Sequence, residues 1–530
     1  MTYLCYDLKG IQSFIFAVPR LRYICGGSAI IDRFDRGTAQ DVNVTGAKLL
    51  FAGGGKGAFR CDDCAAAEKL QASLVEEAHK EGVGICFGRH SDYSEAANLA
   101  NQSFPYLPDK SELDGQPCQE SGLYPTQPQK IHPMIAGRVR RKGEPKGDRL
   151  DRYFEKVLLK GLTLPPGLDA EQCEFFHDVD ATSDTGRFAC AALGGRNRWA
   201  IICMDGNDMG AQHREAAQRW GQKETTYTTW LGKMSKALDD CSRKACRDAM
   251  QHVIDAWAKD EEEMRAATDG SSAVILPLRP LVVGGDDIIV LCHVRHAMEF
   301  VREACRSFTE RSEWECQEAR KQGVELWPAS KSGGLTISAG ILYAPVSLPL
   351  ASAIPYAESL LASAKCLGRK RRPYGEATPA CVDWECVTEG LIDTPHARRQ
   401  RELRFSDGDL DGEIVELTRR PYTISDIGDL MKLVKDYREV PPAIRHQVLP
   451  AMRSGYWDRQ VFTARLGKHH EALAEALDEG GDREHPKGRW KREKDKNNDK
   501  IYIRSTDVVD PLLLLEEDAR MNWITAEAKK

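Results

Sequence analysis

The segment that most constrains this chain is LVVGGDDIIVLC at 281–292. Two runs rich in β-branched residues flank Gly284-Gly285-Asp286-Asp287. Such a pattern reads as two antiparallel strands joined by a tight turn. The sequence around it alternates between strand and helix periods. RWAIICMD at 198–205 is a short apolar run ending in an acid, which suits a buried strand. Leu231, Met234, Leu238, Cys241, Ala245, Ala249, Val253 and Trp257 then recur at spacings of three and four, the mark of a helix. After the hairpin come a helix from His296, a strand at 335–343 (LTISAGILY) and a helix at 348–365 (LPLASAIPYAESLLASAK). The order is that of the split-βαβ, ferredoxin-like sheet.

This topology has a chemical consequence. A helix crossing between the first two strands makes them parallel. The end of the first strand and the hairpin turn then share one sheet edge, so Asp205 should meet Asp286 and Asp287 there. Three close carboxylates repel one another unless a cation shares them. Magnesium and manganese take carboxylate oxygens together with phosphates. Asp205, Asp286 and Asp287, with Gly206 beside them, are therefore the expected metal set for Mg²⁺ or Mn²⁺, and the three acids the expected catalytic residues. Gly284 and Gly285 let a triphosphate approach the backbone, and Lys365 at the end of ESLLASAK can reach its phosphates. Each feature also has a plain structural use: Gly and Asp are common turn residues, and a lysine suits any helix C-terminus. The basic run Arg369 to Arg372 suits polyphosphate or RNA, or simply solvent.

The first ~110 residues look like a weaker copy of this unit. TYLCYDLKG is a strand carrying Asp7, AKLLFAGGGKGAF at 47–59 a strand running into a glycine turn, CAAAEKLQASLVEEAHKEG a helix, and GVGICFG a short strand. Asp7 answers Asp205, and Gly53-Gly54-Gly55-Lys56 answers Gly284-Gly285-Asp286-Asp287. The copy has lost its turn acids and holds a lysine there.

The expected fold class is α+β, with two ferredoxin-like units of βαββαβ order. The expected domains are a first such unit at 1–110, a loop-rich insert at 111–196, a second unit at 197–386, a helical C-terminal domain at 387–480, and a charged linker with a terminal segment at 481–530. The insert is rich in Pro, Gly and charge, with a basic stretch at 138–149 and a His177-Asp178 pair read as loop.

Composition narrows the setting. A net charge of −6 advertises no nucleic-acid partner by itself. No run approaches the ~18 apolar residues of a membrane span. Asp7 and Lys9 sit where a signal peptide would be apolar. No membrane partner is expected, and a cytoplasmic location is. The seventeen cysteines are scattered and read mainly as reduced core residues. Cys61 and Cys64 have ligand spacing, but with no second such pair, and with Cys118 alone elsewhere, zinc is not expected.

DLKGIQSFIF at 7–16, FAGGGKG at 51–57, MDGNDMG at 204–210, VVGGDDI at 282–288, LTISAGI at 335–341 and AESLLASAK at 357–365 occur in that order. Together they resemble the CRISPR polymerase family, the large palm-domain subunit of type III CRISPR effector complexes, which is related to GGDEF-type nucleotide cyclases. VDWECV from 382 and the stretch from Arg419 resemble its C-terminal helical region. The resemblance implies that the two ferredoxin-like units are palm domains facing each other, with ATP bound between them and Asp205, Asp286 and Asp287 holding metals. It implies a cyclic oligoadenylate product in antiviral signalling, and a second nucleotide presented by Gly53, Gly54, Gly55 and Lys56. Partners implied are ATP or other NTPs, guide RNA and further complex subunits. Three features depart from the family pattern: no HD nuclease motif precedes the first palm, the zinc ribbon is reduced to isolated cysteines, and Asn207 stands where a second acid is common, leaving Asp208 without a clear role. The alternatives are a non-catalytic scaffold in an RNA-guided complex and a stand-alone defence polymerase.

Overall fold

The computed structural model describes residues 1–18, 21–38, 44–106, 116–117, 125–126, 158–164, 173–176, 192–193, 198–221, 224–260, 274–330, 334–374, 376–388, 393–467, 469–480, 489–495 and 498–519. Cys118, the basic stretch at 138–149, His177-Asp178 and most of the expected insert lie outside them.

Strands β1 (Thr2–Lys9), β2 (Ala47–Gly53), β3 (Lys56–Cys61) and β4 (Gly84–His90) form the first sheet in the order β2-β3-β1-β4. Tyr3 to Leu8 are all buried, so β1 is covered on both faces. Helices α1 (Ile11–Ile15), α2 (Leu21–Arg33), α3 (Cys64–Lys80) and α4 (Tyr93–Gln102) belong to this unit. Leu70, Leu74 and Ala78, one face of α3, are completely buried. The Asp63 side chain accepts the Ala66 N–H and caps α3. Cys61 is thus a buried strand end and Cys64 an exposed helix start; capping accounts for their spacing.

The second sheet contains β5 (Arg198–Gly206), β6 (Leu278–Gly284), β7 (Asp287–Cys292), β8 (Ile337–Pro345) and β9 (Cys381–Cys386). Its order is β6-β7-β5-β8-β9, closed by the short strand Tyr422–Thr423. β5 and β6 both run antiparallel to β7, so they are parallel to each other. Its helices are α5 (Met209–Trp220), α6 (Glu224–Trp257), α7 (Ala297–Lys321) and α8 (Leu350–Arg371).

The two sheets agree residue by residue. Asp7 pairs with Lys56 as Asp205 pairs with Asp287, and Gly53 pairs with Lys56 as Gly284 pairs with Asp287. Both hairpins carry a bulge at the same offset, between Leu49 and Phe51 and between Pro280 and Val282. Cys5 faces Gly88 as Cys203 faces Gly340. A Cβ at Gly88 would stand 1.9 Å from the Ala96 carbonyl oxygen, and one at Gly340 2.3 Å from that of Ala357. In both copies a helix therefore lies directly on bare strand backbone. The α+β class with palm domains is observed.

Beyond the second palm lie the helices Ile424–Arg438, Pro442–Met452, Tyr456–Leu466 and Glu471–Leu477. The structure adds a four-stranded sheet, in the order Arg404–Asp407, Glu413–Glu416, Asn498–Ser505, Lys491–Asp495. Residues expected as charged linker thus hold two strands, followed by the helix Val509–Ala519. Charge hid them from a reading based on apolar alternation. The Arg492 guanidinium lies 3.7 Å over the Tyr502 ring, and buried Arg504 pairs with Glu413 and Glu479. Among the described residues no helix is long and apolar enough to cross a membrane.

Candidate active site

Asp205 lies one residue before the end of β5, and Asp287 opens β7 directly across the ladder. Between Gly284 and Asp287 only Gly285 and Asp286 remain to turn the chain, and Gly285 takes φ +60°. The Gly206 N–H donates to the Asp286 carbonyl at 3.2 Å. A Cβ on Gly206 would stand 3.0 Å from that of Asp286, so glycine makes room for the turn to lie against the strand end. Asp205 and the adjacent pair Asp286 and Asp287, distant from it in sequence, share one edge.

Their charges are unwelcome there. Burial pushes Asp286 up to about 8, with Asp205 and Asp287 adding to the effect. Burial and then Asp205 push Asp287 up to about 6, while Lys365 works the other way. Lys365, on α8, donates to Asp205 Oδ2 and, at 2.8 Å, to the Gly206 carbonyl. The lysine expected on phosphate, and the carbonyl placed beside the metal set, are thus engaged with each other. Two turns earlier on α8, Glu358 accepts from Gln12 Nε2 at 2.9 Å, joining the first palm to this edge.

Asn207 and Asp208 are structural. Buried Asn207 donates through Nδ2 to Thr336 Oγ1 at 2.7 Å and Ser338 Oγ at 2.9 Å. Asp208, at φ +66°, accepts from the Thr378 N–H and hydroxyl at 3.0 and 2.8 Å and from Arg372 at 3.3 Å. Arg371 pairs with Asp426 at 3.1 Å. Of the basic run, Arg369 and Arg372 stand with Asp205, Asp286, Lys365 and Arg214 in the wall of a cleft of about 520 Å³.

A second cavity, of about 560 Å³, separates the palms. Gly53 and Gly54 line it from one side, and Gly284, Gly285 and Asp287 from the other; Gly55 and Lys56 are not in its wall. The exposed Lys56 ammonium lies 3.5 Å from Asn101 Oδ1. Helix α6 supports both turns. A Cβ on Gly232 would stand 2.6 Å from the Leu50 carbonyl oxygen, and one on Gly53 2.8 Å from Ser235 Oγ. Further along, Ser242 Oγ donates to the Gly285 carbonyl at 2.7 Å, and Arg243 joins Asp239 to Asp32 of α2.

Among the described residues no group of three or more His, Cys, Asp or Glu is arranged to hold a metal unaided. The donors at the acidic edge nonetheless fit a hard divalent cation. Two of them, Asp286 and Asp287, are held above the ordinary carboxylate pKa by burial and neighbouring acids, and magnesium asks the protein for only one or two carboxylates when phosphates complete its shell.

Sequence reasoning passed over α6 as a strut and over Asp35, a buried acid in the wall of the second cavity. Ser242 and Arg243 sit beside the apolar stripe of α6, where polar residues ordinarily read as solvent-facing. Asp35 follows an apolar helix in RFDRG and resembles a loop acid.

Residues 198–372 match the family described as Cas10/Cmr2, second palm domain. Among solved structures the chain is similar to a Csm1-Csm4 cassette in complex with cA4, at 13% identity and a TM-score of 0.46, over 92% of this chain and 67% of that one. It is also similar to the apo Csm1-Csm4 cassette, at 15% identity and a TM-score of 0.43, over 92% and 68%. No curated protein matches the chain.

Proposed function

Because residues 198–372 match the Cas10/Cmr2 second palm family, we propose that this chain is a metal-dependent nucleotidyltransferase that joins ATP into cyclic oligoadenylate, as a subunit of a CRISPR-type antiviral effector complex. The observation that carries the reading is the acidic edge of Asp205, Asp286 and Asp287, with Asp287 in the wall of a cavity lined by both glycine turns.

In the reaction that the family resemblance implies, the 3′-hydroxyl of one ATP attacks the α-phosphate of the next, and pyrophosphate leaves. Asp205, Asp286 and Asp287 would hold Mg²⁺ or Mn²⁺, which neutralises charge building on the phosphate oxygens. Gly284 and Gly285, bare of side chains, let phosphates approach the second-palm backbone. Gly53 and Gly54 offer the same to a second nucleotide from across the cavity. Lys365, which rests on Asp205 and the Gly206 carbonyl, would be placed to meet a phosphate oxygen were Asp205 to hold a cation. The partly apolar walls, including Leu49, Phe51 and Val282, suit a base and keep water from the phosphates.

The test is incubation of the purified chain, alone and with its guide complex, with each NTP and Mg²⁺ or Mn²⁺, followed by product mass. An Asp286→Ala/Asp287→Ala variant is the control. Absence of product from the unmodified chain in both settings would sink the enzyme reading. A non-catalytic nucleotide-binding scaffold is the second reading, favoured by the Lys365–Asp205 ion pair, which already neutralises one acid. It predicts nucleotide binding without turnover in the same assay.

A further inference from the structure

The two turns that face each other across the cavity are built differently. In the first palm, Gly54 and Gly55 both take positive φ, at +63° and +76°, so the turn is of the type I′ kind. In such a turn the N–H of its second central residue has no partner within the hairpin. Here Gly55 N–H donates to Asp35 Oδ2 at 2.8 Å. In the second palm the residue at the matching position is Asp286, which brings a carboxylate of its own to the turn. The turn that lost its acids therefore borrows a carboxylate from elsewhere in the chain.

Asp35 is suited to that task. It sits in the turn that follows α2, is only 6% exposed, and lines the cavity itself. Among the described residues its hydrogen-bond partners are Gly55 N–H and the Tyr6 hydroxyl, which donates at 3.2 Å. Arg243, the cation that ties α6 to α2, goes instead to Asp32 and Asp239. The groups acting on Asp35 are thus Tyr6 from β1, Gly55 from the turn, Asp32 from α2 and Asp239 from α6. Burial, with those two acids, pushes Asp35 up to about 7 against the pull of its two donors. A buried acid with no cation partner among the described residues costs stability, and this one lies beside a nucleotide-sized cavity.

We propose that Asp35 is a positioning residue for nucleotide binding: by holding Gly55 N–H it fixes the Gly53-Gly54 backbone that the first palm presents to the cavity. The assignment rests on the nucleotide reading above. An ionised acceptor makes the stronger hydrogen bond, so the turn is held most firmly above about pH 7 and loosens below it.

Equilibrium titration with ATP and Mg²⁺, from pH 6 to 8.5, tests the assignment on the full chain. Asp35→Ala leaves Gly55 N–H without its acceptor and should weaken ATP binding about tenfold. Asp35→Asn keeps an acceptor oxygen and should stay within about threefold of the unmodified chain at low pH. Both variants retain Asp286 and Asp287, so the difference between the unmodified and Asp35→Asn profiles isolates Asp35. Affinity should rise through neutral pH more steeply in the unmodified chain. Hydrogen exchange at Gly54 to Lys56 should quicken in Asp35→Ala while the β1 amides stay protected. ATP binding by Asp35→Ala equal to that of the unmodified chain overturns the assignment, as do parallel pH profiles for the unmodified chain and Asp35→Asn. If Asp35→Ala fails to fold, the Asp35→Asn profile decides. If the unmodified chain binds no nucleotide while exchange at the turn still responds, the nucleotide reading has failed and Asp35 is a turn support only.

Discussion

Asp287 stands directly opposite Asp205 across the β5–β7 ladder, and one palm earlier Lys56 stands opposite Asp7 in the same register. The duplicated frame thus carries like charges at one edge and opposite charges at the other. Burial of the second palm's acids, with the repulsion between them, has consequences that can be measured.

The first is a dependence of stability on pH. Asp287 is held at about 6 and Asp286 at about 8, both above the ordinary 3.8. A carboxyl held above its unfolded value stabilises the fold in its protonated form. That contribution is complete below about pH 4 and is lost as pH rises through 6 and then 8. Asp286→Asn keeps a neutral group throughout. Its Tm should match the unmodified chain near pH 4 and exceed it by roughly 2–4 °C at pH 8.5 in a thermal scan.

Divalent metal should act with the opposite sign. Protons and Mg²⁺ compete for the same carboxylates, so Mg²⁺ should raise Tm more at pH 8 than at pH 6. Asp286→Ala/Asp287→Ala should abolish the increment. An equal Mg²⁺ effect in the double variant would place the binding elsewhere.

Lys365 connects Asp205 with the Gly206 carbonyl. Lys365→Met removes the only ammonium bonded to an acid of this edge among the described residues. Product formation should fall about 10²-fold, the usual cost of deleting one preorganised charge donor, and half-saturation with Mg²⁺ should move because Asp205 loses its counter-charge. Initial rates across a Mg²⁺ series separate the two effects.

Close packing of α6 on the first palm depends on Gly232, whose added Cβ would meet the Leu50 carbonyl oxygen at 2.6 Å. Gly232→Val should cost about 1–3 kcal/mol by overpacking and weaken ATP binding as the cavity wall shifts. Gly428, where an added methyl would meet nothing within 4 Å and which lies inside a helix, is the control. Gly428→Ala should instead stabilise by about 0.5–1 kcal/mol. Chemical denaturation of both variants checks the pair.

The acidic edge was legible because its signals are local: apolar runs, a glycine turn, and a topology that brings Asp205 to Asp286 and Asp287. The repeat was legible for the same reason, down to Lys56 at the position of Asp287. What could not be read depends on partners far apart in the chain. Asp208 has the residue type of a ligand, yet Thr378 and Arg372 claim it. Asp35 reads as a loop acid, and only the folded turn brings Gly55 to it. The strand Lys491–Asp495 has no apolar alternation at all; ion pairing and arginine stacking hold that sheet together. Lys365 lies at the expected edge, but its resting partner is a carboxylate.

Ser235 and Ser242 on α6 stand beside Gly53 and Gly285, one from each palm. At ~1.5 Å of rise per residue, the helix sets the two turns about 10 Å apart along its axis. The helix works as a ruler. A loop change at either turn alters one mark and leaves the interval intact. To widen or narrow the gap between the two turns, α6 itself must bend or slide. A partner gripping the far end of that 34-residue rod would therefore reach the cavity by leverage, without touching either turn.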